Sequence, residues 1–450
     1  MKKIIGIFVF TLLIASAVFP LVSSRDKYIF SQQSSDVIIN EYYKFKTRYL
    51  GKSNLPTSLY PEGASIKPAI INTPDYFSWK DYEGEDWTTP AKNQFYPKYC
   101  GSCWIFAAVG ALESVINIRE GCASLDPDLS EQYVLSCLPE AALNSGEGCK
   151  GGYSFDVYYY INDTSPAGNN CNGIIFESCL QYQADDDISC EDKCSNWEDQ
   201  LVPISDHGYC ILNDNPDDRQ AIKTQIMKTG PVASCMLYNS DLNNWGYKHH
   251  DPNEYYPYDE SGSDHDIIVV GWKDDPLITN GGYWIIKNSM GSKWGYYGFF
   301  NMEYGRLGSY WIDDDPATTY IAWVDYNSDS FDWPPIKPSI SGPKKGEIGE
   351  ELTFSTSTID PNDRQVSYMW DWGDDTTSEW FGPFDSGETV NASHTWTGKG
   401  IYIVKVKAKN TDELESDWSN PLKVIMPRIK MTINHLLFFL KNKKKISLFL

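Results

Sequence analysis

Apolar residues recur with a helical period from Ile105 to Ile116: Ile105, Phe106, Val109, Leu112, Val115 and Ile116 share one broad face. The spacing predicts a long helix over 103–120, emerging from a polar, glycine-containing turn. Leu129–Cys137 reads as a second, short helix capped by Ser130, and Ser154–Ile161 as a third, rich in Tyr. From Val202 the texture changes to short strands: Val202–Leu212, Val232–Tyr238, Asp266–Trp272, Tyr283–Asn288 and Gly298–Met302, with a helix over Asp218–Lys228. After Asp313 the pattern loosens, and Pro334, Pro335, Pro338 and Pro343 mark a linker. Strict alternation then returns in Leu352–Thr358, Val366–Trp372 and Ile401–Lys409, the mark of half-buried strands and of a small β-sandwich.

This gives an α+β first domain, helical in its first half and β-rich in its second, with a cleft between the halves as the natural place for a site. The domains expected are a signal peptide over 1–24, a short propeptide or N-terminal arm over 25–70, the α+β domain over 71–325, a linker over 326–345, the sandwich over 346–427 and a short apolar and basic tail over 428–450. The signal reading rests on Lys2 and Lys3, the apolar run Ile4–Leu21 and the small residues Ser23 and Ser24. A short helix is expected near Asp36–Tyr49, and the tail holds an apolar patch at Leu436–Leu440, too short to span a bilayer.

Charge and cysteine usage narrow the class. The formal net charge of -23 argues against nucleic acid as a partner. All 11 cysteines fall between Cys100 and Cys235, which suggests an oxidising compartment and marks the first domain as the cross-linked one. The odd count leaves one thiol over; if it is Cys103, the rest could form up to five disulfides. Cys190 and Cys194 have a spacing that zinc tolerates, but a secreted chain favours disulfides, so no metal and no organic cofactor is expected.

Cys103 sits where the turn becomes the long helix, and the positive end of the helix dipole favours a thiolate there. A thiol peptidase needs that nucleophile, a His to move its proton, a polar group to orient the His, and a donor for the oxyanion. Among the six histidines, His265 precedes the apolar strand Ile267–Val270, and the next strand runs directly to Asn288. The glycine-dense turn Gly146–Gly152 lacks the phosphate-loop pattern and reads as close packing or a groove wall.

These residues carry a resemblance. Gln94 and Cys100-Gly101-Ser102-Cys103-Trp104, then Leu129-Ser130-Glu131-Gln132, Gly148-Cys149-Lys150-Gly151-Gly152, His265 with Val270-Gly271-Trp272, Tyr283 to Ser289, and Trp294-Gly295 resemble the papain-like cysteine peptidases in order over roughly residues 74–305. The resemblance implies a two-lobed fold in which Cys103 is the nucleophile, His265 the base and acid, and Asn288 the residue that orients it. Gln94 and the Cys103 N–H would bind the oxyanion. It implies a Cys100–Cys149 disulfide, a partner for Cys137 in the 179–194 region with Cys190 first, and a substrate groove along Gly151, Gly152 and Trp294. The chain departs from the pattern at Phe95, where the family has Gly, in extra residues before Cys100, at Met290, where it has Trp, and in longer loops over 160–200 and 239–264.

The second domain has its own resemblance. Trp370-Asp371-Trp372-Gly373-Asp374-Asp375, His394-Thr395-Trp396 and Gly400-Ile401-Tyr402 resemble the PKD repeat, an immunoglobulin-like β-sandwich. It implies a spacer, or contact with a protein or cell surface. The reading is therefore a secreted or cell-surface cysteine endopeptidase acting on polypeptides; the alternative is a non-catalytic surface or adhesion protein that keeps the fold.

Overall fold

The computed structural model describes residues 72–137, 148–162, 173–257, 262–308 and 318–427. The expected signal, N-terminal arm and tail lie outside them. Helix α1 (Cys103–Glu120) runs through the middle of the first domain and ends on Gly121, whose φ of 62° is the left-handed cap that glycine adopts without strain. It is buried on all sides, with only Cys103 and Arg119 reaching solvent, which corrects the single apolar face expected. Its other sides carry Ala107, Ala108, Gly110 and Ala111, and small residues let neighbours approach closely. A Cβ on Gly110 would stand 2.7 Å from the Ile268 side chain.

Helix α2 (Glu131–Cys137) begins after Ser130, whose Oγ accepts from the Tyr133 N–H at 2.9 Å, the cap expected. Helix α3 (Ser154–Asn162) packs on α1. Helix α4 (Pro216–Thr229) starts on Asn215, which accepts from two N–H groups of the first turn, with Pro216 at the position where a missing N–H costs nothing.

The β-rich half is a sheet in the order β2 (Asp206–Asn213), β8 (Thr318–Asp325), β3 (Val232–Tyr238), β5 (Ser263–Asp274), β6 (Gly282–Lys287), β7 (Phe299–Glu303), β4 (Tyr255–Tyr256), with β1 (Tyr76–Ser78) paired to β5. All pairs are antiparallel except β4 with β7. Strand β8 corrects the expectation of loose chain after Asp313: Thr318–Asp325 lies between β2 and β3. It carries almost no alternation because both faces are covered.

One carboxylate clamps three parts of this half. Asp214, just after β2, accepts at Oδ2 from the Trp284 indole at 3.1 Å and from the backbone N–H groups of Gly305, Arg306 and Leu307 at 2.7, 2.8 and 3.3 Å. Its Oδ1 accepts from Arg219 Nε at 2.7 Å.

The sandwich packs a three-stranded sheet, β13 (Val390–Thr395), β10 (Glu351–Ser357), β9 (Ser339–Ser341), on a four-stranded one, β12 (Phe381–Phe384), β11 (Val366–Asp371), β14 (Gly400–Asn410), β15 (Leu422–Met426). Trp370, Trp372, Trp396 and Phe354 fill its core. His394 stacks on Trp372 with ring centroids 4.7 Å apart and bonds Asp374 at 2.8 Å, so that turn aspartate is engaged by the sandwich itself.

The expected linker is not a free tether. Trp333 is buried against Phe176 of the first domain and against Phe331 of the linker itself. Its Nε1 donates to Tyr326 Oη at 2.9 Å, and its carbonyl accepts from Arg364 Nη2 of the sandwich at 2.7 Å. Among the described residues no helix is long and apolar enough to cross a membrane.

Candidate active site

Cys103 is the first residue of α1 and keeps partial access to solvent as a free thiol. Its N–H, at the first helical position, has no acceptor within the helix. The turn before it is fixed from both sides. The Cys100–Cys149 disulfide and a 2.7 Å bond from the Gly101 N–H to Cys149 O join it to the glycine-dense turn. Gly151 there has φ of 132°, and a Cβ on Gly152 would meet the Trp104 ring at 2.6 Å, so only glycine suits both positions. Cys137 is joined to Cys190, and Cys179 to Cys194. Cys122, Cys210 and Cys235 are buried, and three disulfides form among the described residues, with Cys171 outside them.

His265 stands near the start of β5, opposite Met236 of β3. Its Nε2 faces Asn288 Oδ1 at 2.8 Å, just past the end of the adjacent β6. With Nε2 donating to the amide oxygen, Nδ1 is the nitrogen left for a second partner. The imidazole is buried and its ring lies 4.8 Å from that of Tyr238. The Cys103 sulfur meets the backbone of Asp266, the residue after His265 in β5.

Gln94 is buried and held at three points. Its side chain donates from Nε2 to Cys100 O at 3.0 Å and accepts at Oε1 from Ser289 Oγ at 2.6 Å; its N–H donates to Ser289 O at 3.0 Å. Tyr182 adds a link that the sequence did not reveal. Its hydroxyl donates to Gln94 O at 2.8 Å and lies 2.6 Å from Ser102 Oγ, tying the Gln94 strand to the residue before the thiol.

Trp294 is placed differently from the expectation. Its indole has no exposed surface and lies beneath helix α5 (Ser240–Gly246), donating to Asn243 O at 3.2 Å. A Cβ on Gly246 would sit 2.0 Å from that ring, so Trp294 supports the site from below instead of lining a groove.

The electrostatics correct the helix-dipole argument. Burial, with Asp266 beside it, pushes the Cys103 thiol up to about 12. Burial pulls His265 down to about 4 against the help of Asn288. Burial thus works against the charged form of each group and opposes the helix end. Asp266 is itself buried. Burial lifts it to about 7 although Ser154 Oγ donates to it at 2.7 Å and Tyr320 Oη also donates.

Fold and site together define a two-lobed, papain-like class. The model of the papain family cysteine proteases matches residues 73–320, over half of the chain, and the chain belongs to that family. A PKD domain model matches residues 333–424. A cathepsin L-like protein of Caenorhabditis elegans is 28% identical over 277 residues, covering 60% of this chain and 71% of that protein. A cathepsin L-like peptidase of Aedes aegypti is 29% identical, over 54% of this chain and 62% of its own, and human cathepsin L2 is 28% identical, over 52% and 61%. The chain thus spans under two thirds of the latter two. Among solved structures, SERA5E from Plasmodium falciparum is 19% identical over 56% of this chain and 95% of its own, with a TM-score of 0.39.

Proposed function

We propose that the protein is a cysteine endopeptidase that cleaves polypeptides with Cys103, His265 and Asn288, and that it works outside the cell or at its surface. The observation that carries this reading is the His265 Nε2 to Asn288 Oδ1 bond of 2.8 Å beside the only free cysteine described that reaches solvent. That bond fixes the tautomer in which Nδ1 can take the thiol proton. The sulfur then attacks the peptide carbonyl, and the imidazolium returns its proton to the leaving amine. The Cys103 N–H and the second N–H of Gln94 Nε2 meet the oxyanion. Three disulfides and the apolar run Ile4–Leu21 support the extracellular setting. The sandwich serves as a spacer or a contact with a protein or cell surface.

A second reading, a non-catalytic surface protein, draws on Gln94, whose amide is already bonded at both ends. A thiol-directed peptide affinity label separates the two. The expected result is one label, on Cys103, with Cys122, Cys210 and Cys235 untouched because they are buried. No label on the folded chain would favour the second reading.

The pH profile is a further check. Turnover requires the pair to hold one proton, whichever atom carries it. Acid adds a second proton to His265 and removes the base, so activity falls as pH drops through about 4, the value burial sets for His265. The raised thiol places the alkaline limb far above neutrality. The measurement is kcat/KM against pH; an acid limb centred above pH 6 contradicts this pairing.

A further inference from the structure

Two departures from the papain-like pattern meet at one cavity. The loop over 239–264 is long, and it supplies α5 and Tyr247. Phe95 and Met290 stand where the family carries Gly and Trp. Together they border a cavity of about 420 Å³ whose wall combines Phe95, Tyr238, Tyr247 and Met290 with the neutral polar side chains of Asn93, Asn239, Ser240, Asn243 and Ser263. Every lining residue is uncharged, in a chain of net charge -23.

The cavity touches the reacting groups on one side. Tyr238 forms part of its wall and also packs its ring 4.8 Å from the His265 ring. Met290 lies two residues beyond Asn288 and pairs with Asn93, next to Gln94. Since the imidazole hands its proton to the leaving amine, the peptide that follows the scissile bond must run beside His265. The wall is firmly held: Tyr238 Oη donates to Asn243 Oδ1 at 2.8 Å, and the Gly295 N–H donates to Gly246 O at 2.7 Å. At the rim, Phe95 stacks on Tyr99 with centroids 5.1 Å apart, and Tyr96, Tyr99 and Tyr247 are 73%, 80% and 57% exposed. Uncovered aromatic side chains around a concave, neutral wall suit an apolar guest.

We infer that this cavity is a specificity pocket for the segment C-terminal to the scissile bond, and that it selects large uncharged side chains, aromatic or aliphatic, over charged ones. The inference rests on the peptidase reading and deepens it. An acidic or basic side chain entering it would lose water and find no opposite charge. An apolar one would bury its surface against Phe95, Tyr247 and Met290.

The test uses internally quenched peptides, identical before the scissile bond, with Phe, Leu, Asp or Lys in the first two positions after it. The purified chain is expected to cleave the Phe and Leu peptides with kcat/KM about tenfold to a hundredfold above the Asp and Lys peptides. In Tyr247→Ala and Phe95→Ala the ratio is expected to shrink to within about threefold, while the affinity label still marks Cys103 and so reports a folded site. Equal cleavage of all four peptides by the unaltered chain would overturn the pocket and leave the peptidase standing. A ratio unchanged in both variants would also overturn it. Absence of both cleavage and labelling would overturn the peptidase reading, and the pocket with it.

Discussion

Replacing Cys103 with Ala is expected to reduce peptide hydrolysis by roughly four to six orders of magnitude while leaving the fold intact. The sulfur is the proposed nucleophile, at the start of α1 and against the backbone of Asp266, the residue after His265. Its loss removes the bond-forming step, not a contact that merely speeds it. The side chain is free of disulfides and small, so its truncation opens little volume, and the backbone at Asp266 loses one weak sulfur contact. Cys103→Ser is expected to fail almost as completely: it keeps the shape, but a hydroxyl is far harder to ionise than a thiol. Single-turnover hydrolysis of an unstructured peptide, with circular dichroism as the control, reads both. Activity within tenfold of the unaltered chain would require another nucleophile.

Asp214→Ala is expected to cost about 3–5 kcal/mol of stability, as removal of one partner from a buried ion pair does. The substitution removes the carboxylate partner of the Arg219 guanidinium, which keeps the Asp214 and Asn280 carbonyls, and frees the Trp284 N–H and three backbone N–H groups at once. Those groups belong to α4, β6 and the chain after β7, so the loss spreads across the sheet that carries His265. Asp214→Asn keeps an acceptor oxygen for the backbone donors but presents an amide to Arg219, and about half the loss is expected, within the range for hydrogen bonds to charged groups. The denaturation midpoint at unchanged slope measures both. A loss for Asp214→Ala below about 1 kcal/mol would mean that water replaces the carboxylate freely.

The parts legible in the sequence are those whose chemistry is local. Helix α1 and strand β3 were legible as apolar runs of fitting length although both are covered on all sides, and the strands of the sandwich follow from alternation, because one face of each meets the core and the other solvent. Cys103, His265 and Asn288 were legible because they stand within ordered motifs. Strand β8 was not, since Thr318–Asp325 is covered on both faces and shows no alternation. Helix α5, with its polar sequence SDLNNWG, has no apolar period; its one signal was Asn239, whose Oδ1 accepts from the Leu242 N–H at 2.8 Å. The push of burial on the thiol and the imidazole was hidden for another reason. It depends on burial and on Asp266, a tertiary neighbour that no reading of the helix end supplies.

Trp333 has neighbours in both domains. Its ring is seated in the peptidase half while its carbonyl is gripped by Arg364 and, at 3.4 Å, by Asn410 Nδ2 of the sandwich. One residue of the connecting stretch is therefore seated on the peptidase half and hydrogen-bonded to the sandwich, so that a change at Trp333 would be felt on both sides.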